Sequence, residues 1–219
     1  MTSETDTLHL PRLLCLHGGG TNAQIFRLQC RVLERALLSS YRFVYADAPI
    51  TPVTQGPDVT SVFASHGPFR AWLSDDTDTG AAIDSSFDRA MASDPGTGPF
   101  VGLLGFSQGA RVAGSLLLRQ QLRGEAGFRF AILVAGRGPL DVFGTVAEGQ
   151  KLRIPTVHVH GLLDPGLQSH RELLECCEPR TVAVLEWDGE HRLPIRSADV
   201  ERVVQAMEKV ARETGCGGK

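Results

Sequence analysis

Phe100-Val101-Gly102-Leu103-Leu104-Gly105-Phe106-Ser107-Gln108-Gly109-Ala110-Arg111-Val112-Ala113-Gly114 starts as a continuous apolar run and continues at helical spacing. A short apolar run reads as a buried strand, and the segment after it, Gln108–Arg123, as a helix. Between them stands Gly105-Phe106-Ser107-Gln108-Gly109, a G-x-S-x-G pattern. A serine hydroxyl attacks a carbonyl only if it stands clear of the backbone, so the chain must turn sharply from strand to helix beneath it. Glycines two positions either side leave room for that turn, and Ala110 and Ala113 let the new helix lie close to the sheet. Ser107 is therefore the candidate nucleophile.

Working outward, strand-like runs alternate with helix-period segments. The strands are read at Leu13–Leu16, Phe43–Ala46, Phe100–Gly105, Phe130–Ala135, Thr156–His160 and Val182–Trp187. The helices are read at Asn22–Ser39, Gly80–Ala92, Gln108–Arg123, Pro165–Cys176 and Ala198–Thr214, with a short one at Asp141–Ala147. This alternation predicts an α/β fold, a mainly parallel sheet of about six strands flanked by helices. One domain spanning 1–219 is expected, with 1–9 and 215–219 frayed. The stretch Pro49–Thr79, rich in Pro and Gly and holding Asp75, Asp76 and Asp78, reads as a loop or lid-like insertion.

Chain order for a serine nucleophile of this kind is Ser, then acid, then His. Of seven histidines, His158, His160, His170 and His191 follow Ser107. His158 and His160 alternate within a strand, and His170 reads as a surface position on a helix. His191 lies in the polar loop Asp188-Gly189-Glu190-His191-Arg192 after the last strand, where a base can reach the serine. Two acids compete to orient it. Asp164 precedes Pro165 and would serve equally as a helix cap, whereas Asp141 more simply opens a short helix. Asp164 is favoured by its placement after the strand Thr156–His160. Asp188 and Glu190 read as rim charges.

One oxyanion donor is expected from the N–H of Gln108, and the other from the loop His17-Gly18-Gly19-Gly20, with Gly19 ahead of Gly20. The loop lacks the spacing of a phosphate or dinucleotide site. His17 is expected to shape it by hydrogen bonding. Phe63, Phe69, Trp72, Leu140, Phe143 and Leu193 are candidates for an apolar substrate pocket or, equally, for core packing.

Composition narrows the remaining classes. The 219 residues carry a formal net charge of -3, with 42% hydrophobic and 21% charged residues, so no basic face for nucleic acid is implied. No apolar run is long enough to span a bilayer, and Met1–His9 lacks the pattern of a secretory signal. A cytoplasmic enzyme without metal or other cofactor is the expectation. The five cysteines, Cys15, Cys30, Cys176, Cys177 and Cys216, form neither a disulfide framework nor a zinc spacing.

With these residues placed, the chain resembles the fungal serine hydrolase (FSH-type) family over nearly its whole length. The resemblance is carried by Leu14-Cys15-Leu16-His17-Gly18-Gly19-Gly20-Thr21-Asn22-Ala23, Gly67-Pro68-Phe69, Gly105-Phe106-Ser107-Gln108-Gly109-Ala110, Gly161-Leu162-Leu163-Asp164 and Gly189-Glu190-His191. It implies a compact α/β-hydrolase core lacking the first two strands, and a triad of Ser107, Asp164 and His191. Members of the family include stand-alone thioesterases of fungal secondary metabolism, the lovastatin thioesterase among them, and carboxylesterases. The resemblance thus implies an acyl thioester or ester substrate, with an acyl carrier protein of a polyketide synthase as a partner. The rivals are a general carboxylesterase for small lipophilic esters and, from another class, a non-catalytic ligand-binding protein on the same scaffold.

Overall fold

The computed structural model describes residues 7–216, apart from 52, 57, 58, 60, 75–78 and 145. The acidic run Asp75, Asp76 and Asp78 therefore lies outside the described residues. Chain order is β1 (Arg12–Leu16), α1 (Ala23–Leu37), β2 (Arg42–Ala46), α2 (Gly80–Ser93), β3 (Phe100–Phe106), α3 (Gln108–Arg123), β4 (Phe130–Val134), β5 (Thr156–Gly161), α4 (Leu167–Glu175), β6 (Val182–Trp187) and α5 (Ser197–Glu213). The strands form one six-stranded sheet in the order β2-β1-β3-β4-β5-β6, with all neighbours parallel. This is the α/β architecture expected from the alternation of runs.

The strands are apolar on both faces because both faces are covered. Alternate residues of β1 enter different cores: Leu13 and Cys15 pack with Phe26 of α1 and Met207 of α5. Leu14 and Leu16 pack with Ile83 and Phe87 of α2 and with Val112 and Leu116 of α3. The core leucines Leu13, Leu14, Leu16 and Leu103 are fully buried, each contributing on the order of 1.5–3 kcal/mol. Sequence order reverses between β1 and β3, so the loops leaving these two strands diverge and open a crevice at their carboxyl ends.

Two of the segments that carried the family resemblance prove to touch. Asn22 caps α1 by accepting from Ile25 N–H (2.9 Å), while its Nδ2 donates to the carbonyls of His66 (2.7 Å) and Pro68 (3.1 Å). Gly20 N–H donates to Arg70 O (2.8 Å) and Arg70 N–H to Thr21 O (2.7 Å). Gly56 N–H donates to Gly20 O (3.0 Å). The described part of 49–79 is thus strapped onto the glycine loop by backbone hydrogen bonds.

Three local readings are corrected. The described residues of Asp141–Ala147 form a turn and irregular chain, not a helix: Gly144 takes φ 120° and its N–H returns to Asp141 O (3.1 Å), while the Arg119 guanidinium lies 3.9 Å over the Phe143 ring. Cys216 is not frayed, because it packs into the core beside α5 and its N–H donates to Ala211 O (2.7 Å). At the other end Thr7 is buried, and Leu8 O accepts from Thr97 N–H (2.7 Å).

Candidate active site

β3 and α3 meet at Ser107, whose φ of 53° and ψ of −116° lie where a side chain is strained. The flanking glycines make that turn possible. A Cβ on Gly105 would stand 2.5 Å from Gly109 O and 2.6 Å from Ala110 Cα, and one on Gly109 would stand 2.2 Å from Leu16 O. These are backbone atoms, so nothing flexible can give way. The helix thereby comes down directly on the end of β1.

The β6–α5 loop brings His191 over the serine. Ser107 Oγ lies 2.9 Å from His191 Nε2, and His191 Nδ1 lies 2.5 Å from Asp164 Oδ2. A carboxylate only accepts, so Nδ1 carries the proton and Nε2 is left to accept from the serine hydroxyl. Asp164 is buried, and its other oxygen accepts from Gly166 N–H (2.7 Å). α4 starts at Leu167 with Gly166 at its N-cap, so Asp164 turns the loop instead of capping the helix. Asp141 is instead paired with Arg111 (2.7 Å).

Gly19, Ser107, Gln108, Arg137, Asp164, Pro165, Gly166 and His191 line one cavity of about 450 Å³. Neither Gly19 N–H nor Gln108 N–H donates to a described acceptor. The loop that carries Gly19 is held from several sides. His17 Nε2 accepts from Ala48 N–H (3.0 Å), which puts the other ring proton on Nδ1, where it donates to Gly18 O (2.8 Å). Burial pushes the His17 pKa down to about 4, so the ring is neutral at neutral pH. Trp72 Nε1 donates to His17 O (2.8 Å), and Gln108 Oε1 accepts from Trp72 N–H (2.7 Å).

None of the six apolar pocket candidates lines this cavity. Trp72 is fully buried beneath the glycine loop, tilted against His17 and Phe87. Leu140 and Leu193 are buried in the two cores, and Phe143 lies under Arg119. Phe63 stacks edge-on with His66, and Phe69 is half-buried in the strapped segment.

His170 is a residue that the sequence reading misplaced. It is fully buried, not superficial, with Nε2 3.4 Å from Asp164 Oδ2 and its ring centroid 6.0 Å from that of His191. Its signal was its spacing, three residues before the buried Leu173 on the inner face of α4. Burial pushes its pKa down to about 4. Asp164, His170 and His191 form a cluster of ligand-type atoms within 4.8 Å, but the 2.5 Å contact of Nδ1 with Oδ2 leaves no room for an ion between them. Three of the thiols are unsuited to nucleophilic work: burial pushes Cys15 and Cys30 well up, and Cys177 to about 12.

The family model described as Serine hydrolase (FSH1) matches residues 6–203. The chain belongs to this family. It is accordingly a serine hydrolase, and its fold is that of the α/β-hydrolases. An Aspergillus terreus protein described as a probable esterase is 50% identical to it, over 94% of this chain and 91% of that protein. Esterase pigG of Monascus ruber is 45% identical over 98% and 96% of the two chains. Among solved structures, SOBER1 of Arabidopsis thaliana matches with a TM-score of 0.57 and 18% identity, over 91% of this chain and 98% of that one. At that identity the likeness speaks to the fold alone. Among the described residues of this FSH1 hydrolase, no helix is long and apolar enough to cross a membrane.

Proposed function

We propose that this enzyme cleaves an acyl thioester or ester through an acyl-serine intermediate, with Ser107 as nucleophile, His191 as base and Asp164 as orienting acid. The observation that carries the proposal is the unbroken hydrogen-bond chain from Ser107 Oγ through both ring nitrogens of His191 to Asp164, facing an open cavity. As Oγ attacks the carbonyl carbon, its proton passes to His191 Nε2. The N–H groups of Gln108 and Gly19, both without a described acceptor, receive the oxyanion. Collapse breaks the bond to the thiol or alcohol, which leaves with the proton from Nε2. Water then enters, His191 takes its proton, and the acid departs from Ser107. Asp164→Asn is expected to lower kcat by about 10^4-fold, because an amide can offer its NH2 to Nδ1 and so favour the wrong tautomer. Stopped assays at constant pH measure the loss.

The substrate we infer is a polyketide-type acyl chain on a carrier protein, released by this chain as a stand-alone thioesterase of secondary metabolism. Its support is the resemblance to a family that includes stand-alone thioesterases of fungal secondary metabolism, together with the relatedness to Esterase pigG of Monascus ruber. The second reading, a carboxylesterase for small lipophilic esters, is favoured by the likeness to the Aspergillus terreus protein described as a probable esterase. Turnover of acyl-carrier-protein thioesters against simple aryl esters separates the two. Higher kcat/KM on the carrier thioester, with an acyl adduct on Ser107 in the intact-mass spectrum, is expected. Marked preference for aryl esters would overturn the carrier reading and leave the acyl-serine chemistry standing.

A further inference from the structure

We infer that Arg137 is a substrate-recognition residue that pairs with a carboxylate on the acyl chain, a few bonds from the scissile carbonyl. Arg137 lines the same cavity as Ser107 and His191, yet it sits on the loop leaving β4, a different strand from those that carry the triad. Its guanidinium reaches the α4 side of the cavity. A Cβ placed on Gly166 would stand 3.4 Å from Arg137 Nη2, 3.4 Å from His170 Nε2 and 3.1 Å from Asp164 Oδ1. The absence of a side chain at Gly166 keeps this corner open.

The backbone is bent to put the arginine there. Ala135, at the end of β4, takes φ 49°, a strained value for a residue with a side chain, and its N–H is held by Val159 O (3.0 Å). Strain of this kind persists where the surrounding structure fixes it, and here it falls two residues before Arg137.

The charge is also available. Arg111, Arg119 and Arg171 are each paired with a carboxylate, Asp141, Asp84 and Glu186 respectively. Arg137 is exposed and makes no hydrogen bond or ion pair with a described residue. The acid sharing its cavity, Asp164, is committed through both oxygens to His191 and to Gly166 N–H. A guanidinium with free donors matches a carboxylate in a two-pronged pair. The phosphate of a carrier-protein arm is a poor candidate for this contact, because it lies at the far end of an extended chain from the thioester, whereas Arg137 and Ser107 share one small cavity.

The inference rests on Ser107 being the nucleophile, so its test has two arms. In the first, p-nitrophenyl hydrogen adipate is compared with its neutral methyl-capped isostere. The ratio of their kcat/KM values is expected to fall about tenfold in Arg137→Gln, with Arg137→Lys between the two. In the second, chemistry is removed by Ser107→Ala, and binding of the monomethyl adipate anion is followed by calorimetry. Adding Arg137→Gln is expected to weaken that binding by a similar factor. An unchanged kcat/KM ratio in Arg137→Gln, or unchanged anion affinity in the double variant, overturns the role of Arg137. Loss of all turnover in the parent protein, with binding still sensitive to Arg137, would instead overturn the hydrolase mechanism and leave the recognition site standing.

Discussion

Ser107→Ala is expected to lower kcat by about 10^6-fold, and His191→Ala by about as much. Both residues belong to one proton path: Oγ can attack only as Nε2, 2.9 Å away, takes its proton. Removing either end disables the same step, so the double variant should be no slower than the worse single one. A residual rate on the order of 10^3-fold over water should remain, because the N–H groups of Gly19 and Gln108 survive both changes. Steady-state kinetics on an activated ester read the three variants, and a fluorophosphonate probe reads the nucleophile directly. Labelling of the parent protein and none of Ser107→Ala is expected. A Ser107→Ala protein that kept activity within a hundredfold, or effects that multiplied in the double variant, would sink the assignment.

The second large effect is loss of stability in mild acid. Burial pushes His17 to about 4, His158 to about 3 and His170 to about 4, all below the ordinary histidine value of about 6.5. The folded protein therefore holds these rings neutral while the unfolded chain protonates them. Their stabilising contribution is complete above pH 6.5 and is lost as pH falls from there toward 4, at up to about 1.4 kcal/mol per pH unit for each ring. Three such groups acting together would exhaust the roughly 5–15 kcal/mol that holds a domain folded within a few pH units. Urea unfolding between pH 7.5 and 4.5 should show the midpoint dropping steeply below pH 6.5. A flat profile down to pH 5 would mean that these rings are protonated in the fold. His158 has its own structural work there, bonding Thr156 Oγ1 (3.0 Å), so His158→Gln should shallow the acid limb by about one proton.

Much of the site was legible because its strictest demands are local. Gly105 answers a backbone clash with Gly109 and Ala110 within five residues, although Gly109 makes room for the distant Leu16 O, and the order Ser, Asp, His follows from which loops rise at the same end of the sheet. His17 was legible in part for the same reason, since its Nδ1 partners Gly18 and Thr21 lie within one turn of chain, while Ala48 on its Nε2 is distant. The six apolar candidates were not. An apolar side chain that packs a loop onto the body and one that lines an acyl pocket look alike in sequence, and only the way the described part of 49–79 and the loops after β4 and β6 lie against the sheet separates them. His170 and Arg137 escaped for a complementary reason, since each owes its place to how its element docks beside Ser107, Asp164 and His191.

By itself, then, the sequence determined the turn at Ser107, the two-faced strands that require helices on both sides, and the residue types able to move a proton there. Those features are settled by sterics and burial along short stretches of chain. Only the tertiary structure decided that Asp164 faces His191 in place of capping α4, that His170 lies buried behind that carboxylate, and that Arg137 shares the cavity of Ser107. These depend on parallel register and on the direction in which loops leave β4, β5 and β6. Contacts between residues 27 to 84 positions apart are set by that geometry, and no local pattern encodes them.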